Sequence, residues 1–187
     1  MDKRRWVFAM KKMLLLCCAF LSVFFALVAC SKQTGFEENQ DAAINAWQDQ
    51  MAKDTARQNP NDILAAYAAL PQPDSGAQLA QIFALAVARG NGYAQYALLD
   101  DTLKQTCRTR FEACGWATGM QTPWIESFDI AQIKRKPTYT LVFFLKTASG
   151  TLGQFQINLS VENADGAYRI ASIESLEGRA EPYVIVE

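Results

Sequence analysis

The chain contains no histidine. That absence removes Ser-His-Asp and Cys-His catalysis and the zinc sites that use imidazole. Any chemistry would have to run on carboxylates, Tyr, Lys or Cys. Cysteine is scarce too. Cys17 and Cys18 lie inside an apolar run and read as small hydrophobes, which leaves Cys30, Cys107 and Cys114. A CxxC spacing would argue for redox chemistry, and none is present. Positive charge is short where a polyanion partner would need it. Residues 1–29 hold five of the 18 basic residues and one of the 19 acidic ones, so the remaining 158 residues carry 13 basic against 18 acidic. That balance argues against a nucleic-acid partner, because phosphate binding needs a concentrated positive surface. Gly90-Asn91-Gly92 lacks the residues of a phosphate loop and reads as a helix stop. No cofactor and no metal are implied.

Uncharged apolar sequence of spanning length is also nearly missing. The run at 13–29 has 17 residues, at the short edge of a membrane helix, which usually needs about 20. Lys3, Arg4, Arg5, Lys11 and Lys12 precede it and small Ala29 ends it, the parts of an export signal. The ending is specific: Leu27-Val28-Ala29-Cys30, followed by polar Ser31-Lys32-Gln33-Thr34-Gly35. This resembles the lipobox of bacterial lipoproteins, with Leu at −3, an aliphatic residue at −2 and Ala at −1. The resemblance implies cleavage before Cys30, acylation of its thiol, and an extracytoplasmic address on a bacterial membrane. Membrane lipid is then the first partner, each buried CH₂ of the acyl chain contributing about 0.8 kcal/mol. The alternative is an uncleaved signal-anchor helix that happens to end in Cys30.

The expected organisation is a signal at 1–29, a polar tether at 30–40 and one α+β domain at 41–187, with helices over 41–108 and a sheet over 124–187. Helical periodicity begins at Asp41 with Ile44, Trp47 and Met51. Gln58-Asn59-Pro60-Asn61 should end that helix, and Asn61 or Asp62 should cap a short second one through Leu70. A third spans about 77–89, with Leu79, Ile82, Phe83 and Ala86 on its buried face. Residues 93–99 and 101–108 read as two short helical turns, the latter capped by Asp100 or Asp101. After Gly115 the period becomes two. Strands are expected at 124–133, 138–146, 154–161 and 167–173, with Asn163-Ala164-Asp165-Gly166 as a hairpin turn. A fifth strand over 182–186 is an option. Residues 138–146 are apolar on both faces, as in a central strand covered on both sides.

Helices followed by hairpin-linked strands form an α+β domain with the helices on one face of a curved antiparallel sheet of four or five strands. Several stretches go further: Ala88-Arg89-Gly90-Asn91-Gly92, Ala94-Gln95-Tyr96-Ala97-Leu98-Leu99, Gly119-Met120-Gln121-Thr122-Pro123-Trp124-Ile125 and Gly166-Ala167-Tyr168-Arg169-Ile170. On these the chain resembles the NTF2-like (cystatin-like cone) domains of bacterial extracytoplasmic proteins, notably Firmicutes lipoproteins. The resemblance covers roughly half of the chain after Cys30. It implies a sheet wrapped around helices, often with a pocket, and no particular activity.

Cys107 and Cys114 can pair outside the cytoplasm. On one continuous helix, seven residues at ~1.5 Å rise would part them by roughly 10 Å. A disulfide needs Cα atoms within about 7 Å, so it requires a break in the helix. The alternatives are two buried thiols or a redox-active pair. Trp116, Pro123 and Trp124 flank the helix–sheet junction. They line the mouth of a pocket together with Tyr96, Tyr139 and Phe143, or they plug the cone as core. Tyr96 and Tyr139 with Asp129 would make an acid/base set similar to that of ketosteroid isomerase on this fold, although the motif carrying that activity is not visible. Lys134-Arg135-Lys136 is either a solvated turn or a contact for anionic lipid or polymer.

The expected function is therefore a membrane-anchored, non-catalytic domain that binds a small-molecule ligand or an envelope protein. Two alternatives stand beside it: a pocket enzyme using Tyr and Asp, and a passive spacer in an envelope complex.

Overall fold

The computed structural model describes residues 34–54, 58–119, 122–177, 180–181 and 183–185, with the backbone alone at 34–41 and 177. The signal, the lipobox and Cys30 lie outside the described residues. The chain divides into units at 1–41 and 42–187, and the second holds the domain.

Helix α1 (Thr34–Lys53) runs back into the stretch read as tether. Glu37, Glu38 and Gln40 are good helix formers, and each residue added to an existing helix gains a hydrogen bond. Its buried face is the expected one of Ile44, Trp47 and Met51. The helix stops at Lys53, well before Gln58, and Asp54 leaves it with its carboxylate bonded elsewhere. Helix α2 (Pro60–Ala68) is capped by Asn59, whose side chain accepts from the Asn61 N–H, rather than by Asn61 or Asp62. Proline at the first helical position loses nothing, since its missing N–H would have had no helical partner there.

Helix α3 (Gly76–Ala88) is capped by Ser75 and packs across all four strands. Leu79, Ala80, Ile82, Phe83, Ala84, Ala86 and Val87 are buried, the all-round apolar surface of a core helix. It ends at Gly90 in the left-handed region (φ 64°). The Gly90 N–H donates to the Val87 carbonyl and the Asn91 N–H to that of Ala86, the paired bonds of a Schellman stop. Helix α4 (Gly92–Ala97) follows at once, capped by Asn91. Helix α5 (Asp101–Ala113), capped by Asp100, is longer than expected. Leu103, Cys107 and Phe111 recur every four residues on its buried face, so it continues past Arg108.

The sheet is antiparallel, curved and unclosed, in the order β1 (Trp124–Gln132), β2 (Thr138–Thr147), β3 (Gly150–Ala164), β4 (Ala167–Glu177). Phe143 pairs with Phe128 on one side and Phe155 on the other, so these rings share one face. Helices cover that face. The opposite face, with Thr140, Val142 and Phe144, is only half-buried, so β2 is central without being covered on both sides. Among the described residues no fifth strand is formed: Tyr183, Val184 and Ile185 are buried but outside any strand. Tyr183 and Val184 donate backbone N–H groups to the Ala180 carbonyl, a turn that drives these side chains into the core. Lys134, Arg135 and Lys136 form the exposed β1–β2 turn, with Arg135 left-handed at φ 63°. Among the described residues no helix is long and apolar enough to cross a membrane.

No disulfide joins Cys107 to Cys114. α5 does not break between them: Cys107 is buried, and Cys114 is an exposed thiol at the helix end, 3.2 Å from the Phe111 carbonyl. Iodoacetamide should therefore label Cys114 in the native protein and reach Cys107 only after denaturation. A peptide map after mild oxidation should contain no Cys107–Cys114 cross-link, and finding one in good yield would reject this arrangement.

Candidate functional site

A hollow of about 720 Å³, larger than two others among the described residues, opens among the ends of α1, α3 and α5 and the starts of α2 and α4. Asp54, Asn91, Arg89, Arg108, Tyr93 and Trp116 are among the residues that line it. At its back three polar groups are tied together. The Tyr67 hydroxyl donates to Asp54 Oδ2 at 2.5 Å, and Asn91 Nδ2 donates to the same oxygen at 2.7 Å. Gln50 donates to Asp54 Oδ1 at 3.0 Å. Asn91 does two jobs, since its Oδ1 also accepts from the Ala94 N–H and starts α4. Burial, then the Asp54 hydrogen bond and charge, push the Tyr67 hydroxyl far above its ordinary range, against a smaller opposing pull from Asn91. Tyr93 is raised too, by burial and then by Asp54. Both hydroxyls hold their protons, and that of Tyr67 donates to Asp54; the arrangement suits binding and orientation better than proton abstraction.

The wall is aromatic. Trp116 stacks on Tyr93 with ring centroids 4.7 Å apart and on Phe111 at 5.8 Å, and meets Tyr96 edge-on at 5.3 Å. Its backbone sits in the left-handed region (φ 61°), which a bulky side chain avoids. Two hydrogen bonds hold it there: its N–H donates to the Phe111 carbonyl and its carbonyl accepts from the Gly92 N–H, both at 2.9 Å. A Cβ on Gly92 would lie 2.7 Å from that carbonyl oxygen, so only glycine allows the approach. Backbone strain kept in place by its surroundings is a mark of functional sites. At the rim Arg108 pairs with Glu112 at 2.8 Å, and Arg89 donates to the Gln48 carbonyl at 3.0 Å.

The residues expected to line one pocket do not meet in one. Trp116 lines the large hollow. Trp124, 40% exposed, borders a separate one of about 330 Å³, and Tyr96 borders a third of about 230 Å³. Phe143 is fully buried in the core, and Tyr139 is buried with its ring against Gly76. The Tyr96–Tyr139–Asp129 set does not assemble either. Tyr139 pairs with Gln132, and Asp129 lies an odd number of residues away opposite Val142, so the exposed Asp129 projects from the other face of the sheet. The centre of the sheet's covered face is filled by Phe143 and Phe155, stacked at 4.8 Å.

Asp54, Tyr67 and Asn91 carry little mark in the sequence. A tyrosine on a buried helical face does need a partner for its hydroxyl, and that is the one available signal. Among the described residues no group of three or more His, Cys, Asp or Glu side chains could hold a metal. No family model matches the chain, and no curated protein matches it either.

Proposed function

We propose that this chain is a bacterial envelope lipoprotein, held by an acylated Cys30 on the extracytoplasmic face of a membrane. Its NTF2-like domain binds a small molecule or an envelope protein without catalysing a reaction. The observation that carries the binding reading is the large hollow: a strained aromatic wall, a bonded Asp54–Tyr67–Asn91 back, and guanidinium groups at the rim. Rigid aromatics with a few fixed polar groups are what a recognition site needs. The Leu27-Val28-Ala29-Cys30 sequence supports the address, and the order of helices before hairpins on one sheet face supports the NTF2-like reading.

The test is a pull-down of the lipidated protein from native membranes, with mass spectrometry for proteins and small ligands. A bound species should be recovered, and Arg108→Glu at the rim should reduce it by roughly tenfold. Recovering nothing, or the same amount with the variant, would overturn the binding reading. Cys30→Ala should abolish labelling by a fatty-acid analogue and release the protein from membranes; labelling that persists would refute the anchor.

A further inference from the structure

The third hollow, about 230 Å³, has a lining distinct from that of the large one. Trp47, Leu64, Tyr67, Tyr96, Lys104 and Arg169 make most of its surface. Among the described residues its charged groups are two cations, in a domain where acidic residues outnumber basic ones. Asp101 and Asp100 both bear on Lys104, and among the described residues Arg169 forms no ion pair. Lys104 lies 4.0 Å from Asp101, whose side chain is 97% exposed. Arg169 donates to the Tyr168 carbonyl at 2.8 Å; Glu162 stands opposite it in the β3–β4 register, yet no ion pair forms between them among the described residues. Burial, and next the charge of Arg169, make Lys104 a weaker base than usual. An anion between the two would turn that repulsion into attraction.

We propose that this hollow binds an organic monoanion, a carboxylate carrying a single ring or short chain. Its charge would lie between Lys104 Nζ and the Arg169 guanidinium, and its apolar part against Trp47, Tyr67 and Tyr96. A guanidinium presents paired N–H donors that match a carboxylate. Inorganic phosphate or sulfate is the poorer fit, because part of its charge would face aromatic carbon without hydrogen bonds. The hollow has room for a ring and little more. Tyr67 joins the two hollows, since it lines this one while its hydroxyl donates to Asp54 of the large one.

Saturation-transfer NMR on the full chain in a neutral detergent tests this, with benzoate as the probe and benzamide as its uncharged match. Benzoate should bind, with benzamide at least about tenfold weaker. Arg169→Gln and Lys104→Gln should each weaken benzoate roughly tenfold, the loss of one charge-assisted hydrogen bond, with unchanged thermal melting. Lys104→Gln serves as the check if Arg169→Gln alters the fold. Equal binding of benzamide, no loss in either variant, or no benzoate signal would overturn the proposal. So would Arg169-dependent binding to phosphatidylglycerol vesicles without benzoate binding, which would assign the two cations to a lipid surface.

Discussion

Phe155→Ala should cost about 3–5 kcal/mol of folding stability, the range for emptying a buried phenylalanine site. Phe155 is fully buried on the central strand β3. Its ring stacks between Phe143 at 4.8 Å and Tyr183 at 5.2 Å, with interplanar angles of 18° and 17°. The substitution therefore opens a void with aromatic walls on both sides and removes two ring contacts, each contributing about 0.5–1.5 kcal/mol beyond area. The tail cannot collapse freely into the space, because the Tyr183 hydroxyl is held by the Pro123 carbonyl at 2.6 Å and its own carbonyl accepts from Gln95. Against a typical stability of about 5–15 kcal/mol, the loss would leave a marginal fold. Phe144→Ala is the internal control. Phe144 is half-buried on the uncovered face of β2, so its truncation should cost only about 1 kcal/mol. Urea denaturation measures both, with the midpoint moving at a constant slope. Equal costs at the two positions would mean that the helices do not define a single covered face.

That contrast also shows where the sequence was legible. Phe155, Ile157, Leu159 and Val161 alternate with Gln154, Gln156, Asn158 and Ser160, and a period of two has one structural solution when one face is buried. The sheet therefore followed the pattern, and its bounds moved only at the ends. Residues 138–146 depart from the expectation because apolarity on both faces reports what a face could bury, while the described helices cover one face only. α5 runs past the expected 101–108 because Cys107, a small hydrophobe, completes the period with Leu103 and Phe111. The site was much less legible. Its back joins positions 54, 67 and 91, far apart in sequence and on three different segments. No local period encodes such a meeting. Four of the aromatic candidates, Tyr96, Trp116, Tyr139 and Phe143, are buried and Trp124 is exposed, but periodicity assigns a face and not a position along it. Trp116, Trp124 and Tyr96 thus fell to three different hollows.

Alkaline titration should expose the Asp54–Tyr67–Asn91 back of the large hollow directly. Tyr67 in the fold holds its proton well above the ordinary tyrosine value of about 10, chiefly through burial and then through Asp54. Below pH 10 the hydroxyl is protonated in both folded and unfolded chains, and its contribution is complete. Above pH 10 the unfolded chain releases that proton while the folded one keeps it. The unfolded state then binds fewer protons, so stability falls as pH rises, by about 1.4 kcal/mol per pH unit for this one group. Tyr93, Tyr139 and Tyr183 are raised in the same direction, chiefly by burial, and add to the decline. Tyr67→Phe separates the terms. At neutral pH it should cost about 1–2 kcal/mol, because Asp54 and Asn91 lose a hydrogen-bond partner in a largely dry site. Above pH 10 it removes one of the titrating groups, so the wild-type and variant curves should converge, nearly meeting by about pH 11. Urea denaturation repeated from about pH 8 to about pH 11 measures the gap. A gap that stays constant across that range would show that Tyr67 titrates as it does in the unfolded chain. The hydroxyl would then be available to give up its proton in the hollow, and acid/base chemistry there would have to be reconsidered in place of binding alone.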